Sequence, residues 1–127
     1  MTEKRLILEM GTGNDLYGED YSKAAIRAVQ DCLHHSSLSL YRSLGLDPAK
    51  MVVNVTIGVQ KPDQVDTDAV AKQLPYGTVT VTAVMGGLNV PDEANGLLTV
   101  VAAAAVEARY DIPEGRFRLV ERKTFET

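Results

Sequence analysis

The sequence predicts an α/β two-layer sandwich, one four-stranded sheet with helices on one face, in the order β-α-β-α-β-β. Three observations predict it. Segments 5–10, 51–59 and 78–85 read as strands, and stretches with apolar residues at helical spacing lie between them. Glycine or proline stands near most of the boundaries. The chain has 127 residues, 45% hydrophobic and 24% charged, which suits one domain over 1–127 with a core of about 4–110 and a C-terminal arm from 111 to 127.

The elements follow in order. In the first strand Leu6, Leu8 and Met10 share one side and Arg5 and Glu9 the other, and a glycine-rich turn over 11–18 follows. From Asp20 onward Tyr21, Ala24, Ala25, Ala28, Val29, Cys32 and Leu33 form the apolar stripe of a helix, with Lys23, Arg27, Gln30 and Asp31 opposite. Glu19 and Asp20 stand at its positive end, Asp20 or Glu19 as N-cap, and His34 and His35 at its negative end. A short helical turn built on Leu38, Tyr41 and Leu44 is expected to end at Gly45 before Pro48.

Met51, Val53, Val55, Ile57 and Val59 occupy one face of a second strand. Asp66 caps a shorter helix carrying Ala69, Val70, Gln73 and Leu74, which Pro75 and Gly77 terminate. Thr78–Met85 is β-branched at six of eight positions and ends at Gly86-Gly87. Residues 97–110 pit four alanines, which favour helix, against Val100, Val101 and Val106; alternation with small residues on both faces predicts a strand packed closely on two sides. Phe117 and Leu119, set among Arg116, Arg118 and Arg122, predict an edge strand or a loosely attached arm.

Charge and composition exclude several functions. Thirteen Lys and Arg against seventeen Asp and Glu leave a net charge of −4, with no footprint for nucleic acid or an anionic membrane. One cysteine makes no internal disulfide and no zinc cluster, and no secretory apolar stretch precedes the first strand; a cytoplasmic protein without a metal or cofactor is expected. His34 and His35, adjacent on a helix, point about 100° apart and do not share a metal ion. Cys32 follows the apolar stripe and reads as a buried thiol. Two helices cover one face of a four-stranded sheet, so the other face calls for a partner, and a homo-oligomer is expected.

The candidate site is Gly11-Thr12-Gly13-Asn14-Asp15-Leu16-Tyr17-Gly18, between first strand and first helix. Glycines there leave backbone amides free to face a polar ligand. Leu16 stands where the dinucleotide fingerprint needs its third glycine, no Gly-Lys-Ser/Thr ends the run, and the acidic spacing of a calcium loop is missing. The competing reading is a tight turn in which Asn14 or Asp15 bonds its own backbone. Lys23 and Lys61 offer cationic donors, Asp15 an acceptor or general base, Gly13 and Gly87 amides for an oxyanion, and Tyr17 and Tyr76 phenols beside glycines.

This octapeptide resembles the GxGxDxHG signature of the Lin family of conserved hypothetical proteins. Gly11, Gly13, Asp15 and Gly18 match, and Tyr17 replaces the histidine. The resemblance extends through the Asp20-x-x-Lys23-Ala24-Ala25 helix start, Gly58-Val59, Pro75-Tyr76-Gly77 and Gly86-Gly87. It implies an architecture similar to one repeat of the Toblerone-fold ring-opening amidohydrolases, hence a homotrimer with polar pockets between subunits. Ligand contacts would come from Gly11, Gly13, Asn14, Tyr17, Gly18, Gly86 and Gly87, and catalytic ones from Asp15, Lys23 and Lys61. Those enzymes place a nucleophilic serine before a Gly-Gly pair; here Met85 stands there. Two functions are therefore expected: a hydrolase-like or lyase-like enzyme on a small cyclic or carboxylated metabolite, or a non-catalytic metabolite-binding or regulatory module. A tautomerase is disfavoured, because Thr2 stands where its proline would.

Overall fold

A computed structural model describes residues 2–34 and 43–112. Strand β1 (Thr2–Asp15) leads to helix α1 (Tyr21–His34); β2 (Val52–Val59) follows a 3-10 turn at Pro48–Lys50. A second 3-10 turn (Pro62–Gln64) and the short helix α2 (Thr67–Ala71) precede β3 (Thr78–Met85), β4 (Leu88–Asp92) and β5 (Leu97–Ile112). The sheet runs β1-β5-β2-β3, with β2 and β3 parallel and the other pairs antiparallel; β4 pairs with the first part of β5. Helices on one face of a sheet match the expected class.

The long central β5 resolves the conflict in residues 97–110. Val100, Ala102, Ala104, Val106, Ala108 and Tyr110 face the helices and are buried. A residue flanked by strands on both sides is bonded along both edges, and this outweighs the helix propensity of four alanines. Ile57, Val53, Val55 and Val59 of β2, Val29 and Cys32 of α1, and Val70 of α2 complete the core.

Three differences from expectation have local causes. A fifth strand, β4, forms a hairpin with β5 over a turn in which the amides of Asn95 and Gly96 donate to the carbonyls of Asp92 and Glu93. Asn95-Gly96 between apolar residues was a hairpin signal, masked by Pro91. Helix α2 ends at Ala71, short of the expected Leu74, although Asp66 caps it as expected, its carboxylate accepting from the Ala69 amide at 3.1 Å. Strand β1 runs on through Asp15, so residues 11–15 of the expected glycine turn belong to the sheet. The expectations for His35, Leu38, Tyr41 and 116–127 fall outside the described residues.

The other face of the sheet is open among the described residues. Leu8, Met10, Val84, Leu88 and Val90 project from it, 43%, 70%, 41%, 61% and 49% exposed. Its middle is lined by small side chains: Met10, Ala105, Thr56 and Thr82 form one row across the strands and Thr12, Ala103, Gly58 and Val84 the next. These rows floor a trough of about 610 Å³.

At one end the face carries ions. Glu107 accepts from Arg5 at 2.7 Å, from Asn54 at 3.3 Å and from Arg109 at 3.3 Å, and Arg109 also reaches Glu3 at 2.8 Å. The Arg5 bond above all, with those from Asn54 and Arg109, holds the Glu107 carboxyl below its ordinary value despite some burial. A carboxylate with a depressed pKa stabilises the fold above its unfolded pKa of about 4.3 and loses that contribution as pH falls through the folded value. Glu107→Gln is therefore expected to melt lower at pH 7 and to lose less on acidification, its curve approaching that of the wild type as the carboxyl becomes protonated in the folded protein. Melting curves that stay parallel from pH 7 to 3 would contradict this.

Candidate functional site

Helix α1 lies across β1 at Gly11 and Gly13, with Ala24 and Ala28 beneath it. A Cβ on Gly13 would stand 2.3 Å from the Ala28 amide nitrogen and 2.4 Å from the Ala24 carbonyl oxygen; one on Gly11 would stand 2.7 Å from the Ala28 carbonyl oxygen. The two glycines are the seat of the helix. Thr12 turns its amide off the sheet edge to Asp31 Oδ2 at 3.0 Å. By the alternation of an antiparallel ladder, Gly11 and Gly13 on either side turn theirs into β5. The expected oxyanion donor at Gly13 is thus occupied.

Asp15 closes the strand, 5% exposed. Its Oδ2 accepts from the Asp20 amide at 2.9 Å, folding Leu16–Asp20 into a tight turn. Gly18 is required there because a side chain would meet that same oxygen at 2.8 Å. Asp20 Oδ1 in turn caps α1 by accepting from the Lys23 amide at 3.0 Å. The turn also holds Glu19 at φ +49. Gly11, Gly13, Asp15 and Gly18 therefore have structural work: two seat the helix, one ties the turn, one clears the tie.

The other oxygen of Asp15 has a different environment. Oδ1 faces Lys23 Nζ at 4.0 Å and Arg27 Nη1 at 3.8 Å, ion pairs too long for hydrogen bonds, while Arg27 Nη1 bonds the Asn14 carbonyl at 2.6 Å. Both cations are about half exposed, 53% and 45%. Arg27 was missed as a site residue because it reads as the solvated face of a helix; its position four residues beyond Lys23, one turn on, was the available signal. Tyr17 is 71% exposed beside this corner, and Thr99 Oγ1 donates to the Leu16 carbonyl at 3.4 Å.

The remaining predicted residues sit at the same end of the sheet but not in the corner. Lys61 precedes the 3-10 turn and makes no ion pair among the described residues. Ser22 Oγ accepts from the Asp66 amide at 2.8 Å and lies 3.3 Å from the Gln64 carbonyl, joining α1 to that turn. The carbonyls of Gly86 and Gly87 accept from Gln60 Nε2 at 3.0 and 3.3 Å, and the Gly86 amide donates to Val59. Tyr76 lies apart, lining a small apolar gap of about 20 Å³ between α1, β2 and Leu74. Neither that gap nor the trough is lined by Asp15 or Lys23. Cys32 is a buried thiol with a pKa pushed up to about 11, chiefly by burial and then by Asp31 and Glu9, so it is no nucleophile at neutral pH. No group of three or more His, Cys, Asp or Glu that could hold a metal ion occurs among the described residues, and none of their helices is long and apolar enough to cross a membrane.

Fold and site together define a small two-layer α/β protein with a charged corner where its first strand meets its first helix. The family model described as conserved hypothetical protein (Lin0512_fam) matches residues 5–108, and the chain belongs to that family. Among solved structures it is similar to an FtsZ-like protein of unknown function from Nostoc punctiforme PCC 73102. The two are 35% identical with a TM-score of 0.76, over 88% of this chain and 99% of that one. A search of curated proteins found no match.

Proposed function

We propose that this chain is a metabolite-binding module, active as a homo-oligomer, whose polar site is the corner of Asp15, Lys23 and Arg27. The carrying observation is Asp15 Oδ1: it belongs to a buried carboxylate, accepts no hydrogen bond among the described residues, and faces two half-exposed cations at 3.8 and 4.0 Å. An acceptor beside two donors suits a ligand that carries its own N–H next to a carbonyl. Charge selects among such ligands. Glu19, Asp20 and Asp15 oppose Lys23 and Arg27, so a dianion gains little, and a neutral cyclic amide or imide is favoured over a dicarboxylate.

Binding is favoured over catalysis by the state of the available nucleophiles. Ser22 Oγ is engaged with the 64–66 turn, Cys32 is buried and protonated, and Met85 stands before Gly86-Gly87. The Lin family membership supports the fold without adding an activity. The homo-oligomer is supported by the exposed apolar residues of the open sheet face. A neighbouring copy would roof the site either in a trimer of converging corners, as a likeness to a Toblerone repeat implies, or in a pair lying on the open sheet face.

The test is a thermal-shift screen of cyclic amides, imides and dicarboxylates. Cyclic imides are expected to raise Tm, and Asp15→Asn, which keeps one oxygen for the Asp20 amide, to remove that shift while lowering the unliganded Tm by only a few degrees. A shift retained in Asp15→Asn, or given only by dicarboxylates, defeats the reading. Consumption of the hit, followed by NMR, would make the protein an enzyme instead.

A further inference from the structure

We propose that the open face of the sheet is covered by a second copy of this chain, stacked sheet to sheet about a two-fold axis, with Met10 of each copy seated in the other's trough. The proposal rests on the reading of the chain as a homo-oligomer and names the surface and geometry involved. Five of the nine large hydrophobics left exposed among the described residues project from this one face. A contiguous patch of that kind is seldom left to water on a monomer.

Area decides between a pair and a ring. Strands of 14, 8, 8, 5 and 16 residues tile roughly 800 Å² at about 3.3 Å per residue and about 4.8 Å between strands. A standard interface takes about 800 Å² from each partner. The face is thus one partner's worth. A three-fold ring would divide it between two neighbours and leave each contact near the size of a crystal contact.

The patch is also complementary to itself, as a two-fold contact requires. Met10 is a long, flexible knob at 70% exposure, and Gly58, Ala103 and Ala105 beside it leave a hollow of small side chains. Stacked sheets lie about 10 Å apart, a gap that interdigitating side chains from both faces fill. At one end of the face Glu3, Arg5, Glu107 and Arg109 pair among themselves, two of each sign, so these four can be covered without leaving an unpaired charge, while Asp111 beside Glu3 and Asp31 beside the trough belong at the hydrated rim of the contact. The Asn14 end of the face continues into Leu16 and Tyr17, so a copy lying on it flanks the Asp15 corner.

Light scattering and sedimentation of the full chain test this. Wild type is expected at twice 13.8 kDa. Met10→Lys is expected to weaken association by at least about a hundred-fold, with circular dichroism and Tm of the monomer showing an intact fold because Met10 is exposed. Ala105→Glu alone should also be monomeric, and mixing the two variants should restore a pair through one Lys–Glu contact and one wild-type contact. A wild-type monomer overturns the interface and the homo-oligomer reading together. A trimer, or an oligomer that survives Met10→Lys, overturns this interface alone.

Discussion

Gly13→Ala is expected to destabilise the protein by about 3 kcal/mol or more, lowering Tm by roughly 10 °C. The added carbon would lie 2.3 and 2.4 Å from backbone atoms of Ala28 and Ala24, and 2.7 Å from the Arg27 carbonyl carbon. No rotamer change relieves a clash with backbone, so α1 must rise off β1, separating Ala24, Ala25, Ala28 and Cys32 from the strand they cover. Gly11→Ala meets atoms at 2.7 to 2.9 Å, one of them the movable Asp31 carboxylate, and should cost less. Equal melting of wild type and Gly13→Ala would show that the helix seat does not require a glycine at this position.

Gly87→Ala should cost about 2–4 kcal/mol, from two separable sources. Its φ of +61 disfavours any side chain, and a Cβ would stand 2.2 Å from the Val101 carbonyl oxygen and 2.8 Å from that of Gly58. Gly96 provides the control: φ is +64 with nothing within 4 Å, so Gly96→Ala pays only the backbone preference, about 1–2 kcal/mol. Urea unfolding of both variants isolates the steric part by difference. If the two cost the same, the Gly86-Gly87 crossing is looser than its contacts imply. A loss at Gly87 through folding would place this pair in the architecture, where the carbonyl bonds from Gln60 already tie it.

The corner at Asp15 illustrates how a motif divides between structure and chemistry. The resemblance marked Gly11, Gly13, Asp15 and Gly18 together, and spacing alone suggested a loop around a guest. In three dimensions the glycines are explained by what presses on them, Ala24 and Ala28 on two and the Asp15 carboxylate on the third. What packing leaves unexplained is one carboxylate oxygen and the two cations facing it. Arg27 entered the site because helix α1 crosses β1 where it does, a fact of tertiary contact for which its place one turn beyond Lys23 was the sole local signal.

Sequence by itself determined the strands β2 and β3, the extent of α1, the burial of Cys32 and the class of fold, because period-two and helical spacing of apolar residues report directly which side of an element meets the core, whereas at 97–110 it set alternation against alanine's helix propensity. It also determined that residues near positions 15 to 23 hold opposite charges within a few residues of one another. Only the tertiary structure decided that β1 runs through Gly13, since whether a glycine lies in a turn or under a helix depends on the atoms of Ala24 and Ala28, at least 11 residues away. It alone decided that β5 sits in the middle of the sheet, where pairing on both edges outweighs alanine's preference for helix, and that Leu8, Met10, Val84, Leu88 and Val90 from three strands share one uncovered face. Register and strand order arise from long-range pairing energies, which a linear pattern does not contain.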